Sequence, residues 1–289
     1  MTVHVGGAAY NPRMIPWLRR NQPFPPLHSA LREPNGLLAA GADLSPRRLR
    51  TAYASGIFPW FNPGEPVLWW SPDPRMVLLP AELHVRRSLR KRLRRRDYEV
   101  RLNSAFREVM FSCAQPRADG AGTWISEQMI DAYCALHRQG CAHSVETWIG
   151  GELAGGLYGV ALGRVFFGES MFTRVPDASK IAFVHLVHQL QRWGYGIIDC
   201  QMRTDHLASF GAREIPRAQF AARLAELIDY DSPRGEPANG VGFDQGLDPV
   251  ADSAAQPDAD AGSPPTAGAS SDHGRMEDAA HLMQATDQR

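Results

Sequence analysis

Lysine is almost missing from this 289-residue chain: Lys91 and Lys180 are the only two, and every other fixed side-chain cation is an arginine. A GC-rich genome produces that bias as readily as chemistry does, so it excludes nothing. Cysteine is more informative. Cys113, Cys134, Cys141 and Cys200 form no C-x-x-C pair and no Cys/His cluster with ligand spacing, which argues against a zinc site and fits free thiols in a reducing cytoplasm. No apolar run approaches the ~18 residues that would span a bilayer, and the N-terminus lacks the charged-then-apolar order of a signal peptide. A soluble, cytoplasmic protein with no membrane partner is expected. The chain also has no G-x-x-x-x-G-K-[ST], no G-x-G-x-x-G, no G-x-S-x-G elbow and no Ser-His-Asp arrangement. Nucleotide hydrolysis, dinucleotide binding and a covalent acyl-enzyme therefore have no support.

What is present divides the chain in three. Formal net charge is zero, 31 Lys+Arg against 31 Asp+Glu, but the average conceals a gradient. Residues 231–289 hold 11 acidic residues against 3 arginines, which leaves 28 basic and 20 acidic residues in the body. That last stretch is rich in Pro, Gly, Ala, Ser and Asp and nearly free of aromatics, too little apolar surface to offset the entropy of ordering. It is expected to be a disordered acidic tail, with at most a short helix near Met276 to Met283, and cutting it after Tyr230 is expected to leave activity intact. At the other end, residues 1–80 are punctuated by "FPPL", "REPNG", "FPWFNPGEP" and "WWSPDP". They read as a small loop-rich aromatic domain holding one helix, "SPRRLRTAYASG", with Ser45 as its cap and Gly56 as its stop.

Residues 81–230 follow another rhythm and read as a second, larger domain. It opens with a basic helix over 81–96, "AELHVRRSLRKRLRRR". A strand "EVRLN", a helix from Ser104 to Cys113 and an amphipathic helix between a Ser126 cap and a Gly140 stop come next. "AHSVETWIGGELAGGLYGVALGRVFFGESMF" holds three strands, with tight turns at Gly150–Gly151 and near Gly163. A long helix spans Asp177 to Trp193, "IIDCQ" is a further strand, and helices at "DHLASFG" and from Arg217 to Ile228 close the series. This order is α+β, helices packed on a sheet, and it resembles the acyltransferase fold of the GCN5-related N-acetyltransferases (GNAT).

Three stretches carry chemistry. Phe58, Trp60, Phe61, Trp69 and Trp70 cluster among prolines and read as an aromatic core, with one or two rings left to stack on a base at ~1–3 kcal/mol each. The basic helix carries His84, Arg86, Arg87, Arg90, Lys91, Arg92, Arg94, Arg95 and Arg96 with almost no interleaved acid. Such groups repel one another unless a polyanion binds, so the run reads as a phosphate-directed, salt-sensitive nucleic-acid surface. It holds no base-reading motif, so backbone contacts are expected. Finally, strand alternation sets Asp199 and Gln201 on one face and Cys200 on the other, and "FFGESMF" sets Glu169 on an otherwise apolar strand. A buried carboxylate without partners costs several kcal/mol. Three polar groups on neighbouring strands therefore point to a site that holds a cation or accepts a proton from an amine. His143, His185 and His188 read as structural or surface residues.

Together these stretches resemble the leucyl/phenylalanyl-tRNA–protein transferase family. The resemblance rests on "LREPNGLLAAGADLSPRRLRTAYASGIFPWF", "LWWSPDPR", "GTWI", "AHSVETW", "GGLYGV", "FFGESMF", "DASK", "IDCQ" and "DHLASFGAREIPR", in order from about Phe24 to Ile228. Two departures stand out: Leu157 occupies a position where the family carries methionine, and the acidic tail has no counterpart.

The resemblance implies an enzyme that takes leucine or phenylalanine, methionine less readily, from its charged tRNA. It joins that residue to the α-amine of a protein beginning with Arg or Lys, marking it for N-end rule degradation. The implied fold is GNAT-like without acetyl-CoA. No metal or cofactor is implied, because the aminoacyl-tRNA is itself an activated substrate. Asp199 would draw the proton from the amine, Gln201 would orient that amine, and Glu169 would support the network and help hold the cationic N-terminal residue. Leu157, Phe166 and Ile198 would form the aminoacyl pocket, and Trp60 and Trp124 would meet the terminal adenosine or the pocket mouth. Arg86, Arg87, Arg90, Lys91, Arg94 and Arg95 would hold the tRNA acceptor stem. Its partners would be Leu-tRNA, Phe-tRNA and proteins with N-terminal Arg or Lys, bound by a monomer. Two other readings stay open. One is an acetyl-CoA-dependent N-acetyltransferase, although "TRVPDASK" lacks the glycines of that fold's pyrophosphate loop. The other is a non-catalytic RNA-binding protein in which Asp199 is merely structural.

Overall fold

Three consecutive apolar stretches, 142–149, 152–162 and 165–173, buried at nearly every position, build the centre of the molecule. The computed structural model describes residues 3–5, 8–10, 15–116, 123–229, 237–244 and 247. Near the N-terminus, β1 (Val3–Val5) and β2 (Ala8–Tyr10) pair as antiparallel neighbours. Short strands β3 (Trp17–Leu18), β4 (Leu37–Gly41), β5 (Phe58–Pro59) and β6 (Leu68–Trp70) form a four-stranded sheet in the order β3-β4-β6-β5. Helix α1 (Pro46–Ala54) packs beside it, with Leu49, Ala52 and Tyr53 buried.

The larger sheet has seven strands: β7 (Arg75–Leu78), β8 (Glu99–Leu102), β9 (Ala142–Ile149), β10 (Glu152–Leu162), β11 (Val165–Thr173), β12 (Ile197–Gln201) and β13 (Arg213–Ile215). Their spatial order is β13-β7-β12-β11-β10-β9-β8. Only the β11/β12 pair is parallel, as expected for strands joined by a helical crossover. That crossover is α5 (Ala178–Arg192). The remaining helices are α2 (Arg87–Leu93), α3 (Phe106–Cys113), α4 (Glu127–Arg138), α6 (Asp205–Ala208) and α7 (Arg217–Leu227). Ser126 caps α4, its Oγ accepting from the Met129 N–H at 3.3 Å. Ser126→Ala is expected to cost about 1 kcal/mol, measurable as a lowered melting temperature.

The sheet buries both faces. One face packs against α1, α3, α4 and α7 through Val77, Tyr158, Phe167 and Ile197. The other packs against α2 and α5 through Leu157, Phe166, Ile198 and Cys200. Neighbouring residues on one strand thus serve different cores.

Several expectations change here. The break expected at residue 80 falls inside the large sheet, because the apolar run Arg75–Leu78 pairs with β12 and β13. The basic helix expected over 81–96 is helical only from Arg87 to Leu93. Like charges repel at helical spacing, and Leu89 is the one fully buried residue available to anchor it. Part of the region 231–289 is packed on the body, namely residues 237–244: Phe243 is 7% exposed and Asn239 bridges to Leu162. Leu247 also packs against the α5-side core, while the suggested helix near Met276 to Met283 and the other tail residues lie outside the described residues. All four cysteines are buried free thiols. No described helix is long and apolar enough to cross a membrane.

Candidate active site

Two strand irregularities build the site. In β11, Tyr158 of β10 faces Ser170 and Gly159 faces Gly168, which leaves Glu169 as an extra, unpaired residue. In β12, Asp199 faces Val77 and Gln201 faces Met76, which leaves Cys200 extra, and Gln201 takes φ +61°. Bulges of this kind re-aim side chains. The first one shifts the alternation of β11: Phe167 and Phe172 both reach the α3/α4 core, although strict alternation from Phe167 would send Phe172 to the other side. Ladder pairing between β11 and β12 stops at Phe167/Asp199. Beyond that point the strands are joined by side chains instead, Gln201 Nε2 donating to Glu169 Oε1 at 2.9 Å.

Asp199 is fully buried and fully engaged. Arg75 Nε and Nη2 donate to its two oxygens at 2.8 and 2.6 Å, and the Gln201 backbone N–H donates at 2.9 Å. The guanidinium itself lies between the rings of Phe58 and Phe220, 4.7 and 4.8 Å from their centroids, and its Nη1 donates to Gly56 O at 3.3 Å. A buried carboxylate tolerates this position because a fork of charge-assisted bonds replaces its hydration.

Glu169 has different surroundings. Tyr53 Oη lies 2.7 Å from Oε1 and Tyr133 Oη 3.1 Å from Oε2, while the two phenols also contact each other. That triangle contains three oxygen–oxygen contacts, but two phenols supply only two protons. A proton on Glu169 supplies the third. The electrostatics agree: burial pushes the carboxyl up to about 8, with the Asp199 charge adding to the rise and the phenol hydrogen bonds opposing it. Burial and the neighbouring Glu169 charge raise both tyrosines well above their ordinary range, so they remain donors. Tyr158 Oη, buried beside this group, has no hydrogen-bond partner among the described residues.

An apolar cleft enclosing about 660 Å³, part of it open to solvent, adjoins the network. Leu157, Phe166, Met171, Phe183, Leu186 and Ile198 give it an apolar lining, and Tyr158, Glu169 and Asp199 also border it. The polar and apolar groups sit on opposite faces of the sheet, and they meet where β11 and β12 part.

The structure thus brings together Asp199, Gln201, Glu169, Leu157, Phe166 and Ile198. Trp60 and Trp124 are not in the lining of this cleft: Trp60 packs edge-on to Trp70 at 5.3 Å, and Trp124 is buried in the core shared with α3 and α4. Arg86, Arg87, Lys91, Arg94 and Arg95 are exposed on and around α2, and Arg90 is half-buried. Asp199 and Glu169 both border the cleft with their oxygens already hydrogen-bonded, Asp199 to Arg75 and the Gln201 N–H, and Glu169 to Tyr53, Tyr133 and Gln201. His143 and His185 are structural, held down to about 3 and about 4 chiefly by burial. Arg75, Tyr53 and Tyr133 were not anticipated. The signal for Arg75 was the need itself: a buried Asp199 demands a cation, and Arg75 heads an apolar strand. Among the described residues no group of His, Cys, Asp and Glu is arranged to hold a metal ion.

Comparison with known proteins gives consistent findings. A family model described as leucyl/phenylalanyl-tRNA protein transferase matches residues 77–225, and the model of that family's N-terminal domain matches residues 42–73. A leucyl/phenylalanyl-tRNA–protein transferase of Nitrosospira multiformis is 68% identical over 223 residues, 77% of this chain and 96% of its own. The protein of the same name from Nitrosomonas europaea is 70% identical over 214 residues, 74% of this chain and 91% of its own. The one from Chromobacterium violaceum is 63% identical over 220 residues, 76% of this chain and 94% of its own.

Proposed function

Because the chain belongs to the leucyl/phenylalanyl-tRNA–protein transferase family, we propose that it joins leucine or phenylalanine, delivered as the ester of charged tRNA, to the amino terminus of an acceptor protein. One observation carries this reading: the apolar cleft and the Glu169 network share the opening between β11 and β12. An esterified apolar side chain and an attacking amine meet there.

The α-amine attacks the ester carbonyl, the C–N bond forms, and the C–O bond to the terminal ribose breaks. The amine's proton goes finally to the departing ribose oxygen, so the balance closes without ATP or a cofactor. Alignment of the two reactants supplies several kcal/mol of the acceleration. An α-amino group has an ordinary pKa of ~7.7–8.0, and Glu169 sits at about 8. Matched values suit a group that takes a proton and returns it. We assign that step to Glu169 and the orientation of the amine to Gln201, whose Nε2 is spent on Glu169 and whose carbonyl oxygen accepts from the amine. Asp199 acts through position, fixing the Gln201 backbone against Arg75.

The finer reading follows the family. Acceptors begin with Arg or Lys, methionine is a poorer donor, and the product is marked for N-end rule degradation by a cytoplasmic monomer. Trp60, which is only partly buried, would reach the terminal adenosine. The chain order of β9, β10, β11, α5 and β12 supports a GNAT-like architecture used without acetyl-CoA. At the start of α5, where that fold would seat a pyrophosphate, Asp177 already brings an anion, paired with Lys180 at 3.1 Å.

The deciding assay supplies Leu-tRNA and an Arg-initiated peptide, with and without acetyl-CoA. Leucine transfer without acetyl-CoA is the expected result. Acetyl transfer would indicate an acetyltransferase, and tRNA binding without turnover an RNA-binding protein. In the same assay, Arg94→Ala with Arg95→Ala is expected to raise KM for charged tRNA and to make the log KM against log salt slope less steep by roughly one per arginine. An unchanged slope would remove α2 and its flank from the tRNA interface.

A further inference from the structure

One lining residue of the aminoacyl pocket, Phe166, is backed by a segment from beyond the catalytic domain's last helix. Residues 237–244 run as a strap along the exposed end of β9, β10 and β11. Ala238 O accepts from the Gly163 N–H at 3.1 Å, and the Gly240 N–H donates to Ala161 O at 3.0 Å. Asn239 Nδ2 donates to Gln139 O at 2.8 Å, and Tyr195 Oη donates to Val241 O at 3.1 Å. At Gly242, φ is +89° and a Cβ would lie 2.4 Å from the Trp193 ring, so only glycine brings the strap this close. The anchored strap delivers one ring to the interior. Phe243 stacks on His143 at 3.8 Å and 14°, meets Trp193 at 4.9 Å, and lies near-parallel to Phe166 at 6.1 Å and 22°.

Phe166 is the group between Phe243 and the cleft. It lines the cleft beside its ladder neighbour Ile198. On its sheet side the ring is pressed against Gly159, where an added Cβ would fall 2.6 Å from Cζ. With the sheet beneath it, the direction in which this ring can recede is toward Phe243. We propose that Phe243 is a specificity-setting residue: by backing Phe166 it fixes the depth of the pocket and hence the balance between leucine and phenylalanine as donors. The inference rests on the transferase reading above. It also reverses the expectation that the chain beyond Tyr230 is dispensable.

Truncation at this position opens space behind Phe166 and deepens the pocket. A change of one methylene in an apolar pocket alters kcat/KM by roughly 10–200-fold. Phe243→Ala is therefore expected to raise the ratio of kcat/KM for Phe-tRNA over Leu-tRNA about tenfold, and Phe243→Leu about threefold in the same direction. Val241→Ala, on the exposed side of the strap, should leave the ratio within twofold of the parent. A purely structural loss lowers both donors alike and leaves the ratio where it was. An unchanged ratio in both Phe243 variants, whatever their melting temperatures, overturns the proposal; if Phe243→Ala does not fold, Phe243→Leu alone decides. A parent protein that transfers neither amino acid would instead defeat the transferase reading.

Discussion

Glu169→Gln is expected to lower kcat for leucine transfer about 10²–10⁴-fold, the usual worth of a positioned acid–base group, while leaving tRNA affinity within about twofold. The amide is a near-isosteric mimic of the protonated carboxyl. Its NH2 supplies the third proton of the Tyr53–Tyr133 triangle, so the fold is kept and only the exchangeable proton is lost. In the parent, kcat should rise with pH through about 8 and then level off, since the ionised carboxylate is the acceptor. The stability sign is opposite. Glu169 binds its proton more tightly folded than unfolded, so its contribution is complete below the ordinary value of 4.5 and is lost as pH rises through about 8. Glu169→Gln should flatten the stability profile and leave in kcat only the shallower rise contributed by deprotonation of the acceptor amine itself. A variant that retains the parental pH dependence of kcat would take the proton away from Glu169.

The second large effect concerns Arg75. Arg75→Met leaves Asp199 buried with no counter-charge, and breaking one side of such a pair costs about 3–5 kcal/mol. For a protein of this size that corresponds to a melting temperature lower by roughly 6–20 °C. Removing both charges is a different matter. Replacing a buried ion pair by apolar groups of similar volume is often neutral, so Arg75→Met with Asp199→Leu should recover most of the lost stability. Activity should not return, because the Gln201 backbone N–H loses the Asp199 oxygen that holds it at φ +61°. Recovery of stability and activity together would mean that Asp199 has no positioning role.

Much of this arrangement was legible before any coordinates. Apolar strand-forming runs from Ala142 to Thr173, punctuated by the turns at Gly150–Gly151 and Gly163, marked β9, β10 and β11. The apolar run after Asp177 specified α5. Glu169, Asp199 and Gln201 stood out as polar groups in apolar strands. The strands of the N-terminal sheet did not stand out: each is two to five residues long, and β4 is buried at every position, so neither length nor alternation marks it. Nor did the partners of the polar groups, because Arg75 meets Asp199 from 124 residues away and Tyr53 meets Glu169 from 116. The bulges at Glu169 and Cys200 depend on pairing register, which one strand's sequence does not carry. Phe243 was hidden by averaging, a single aromatic in a region whose composition otherwise predicts disorder.

One arginine has a consequence for how the chain comes apart. Arg75 sits in the large sheet, bonds to Gly56, touches Phe58 from the small sheet and Phe220 from α7, and neutralises Asp199. The segments recognised as separate family regions, 42–73 and 77–225, therefore share a buried electrostatic keystone lying at their junction. Calorimetry should record one transition rather than two, and a fragment starting at residue 77 should fail to refold.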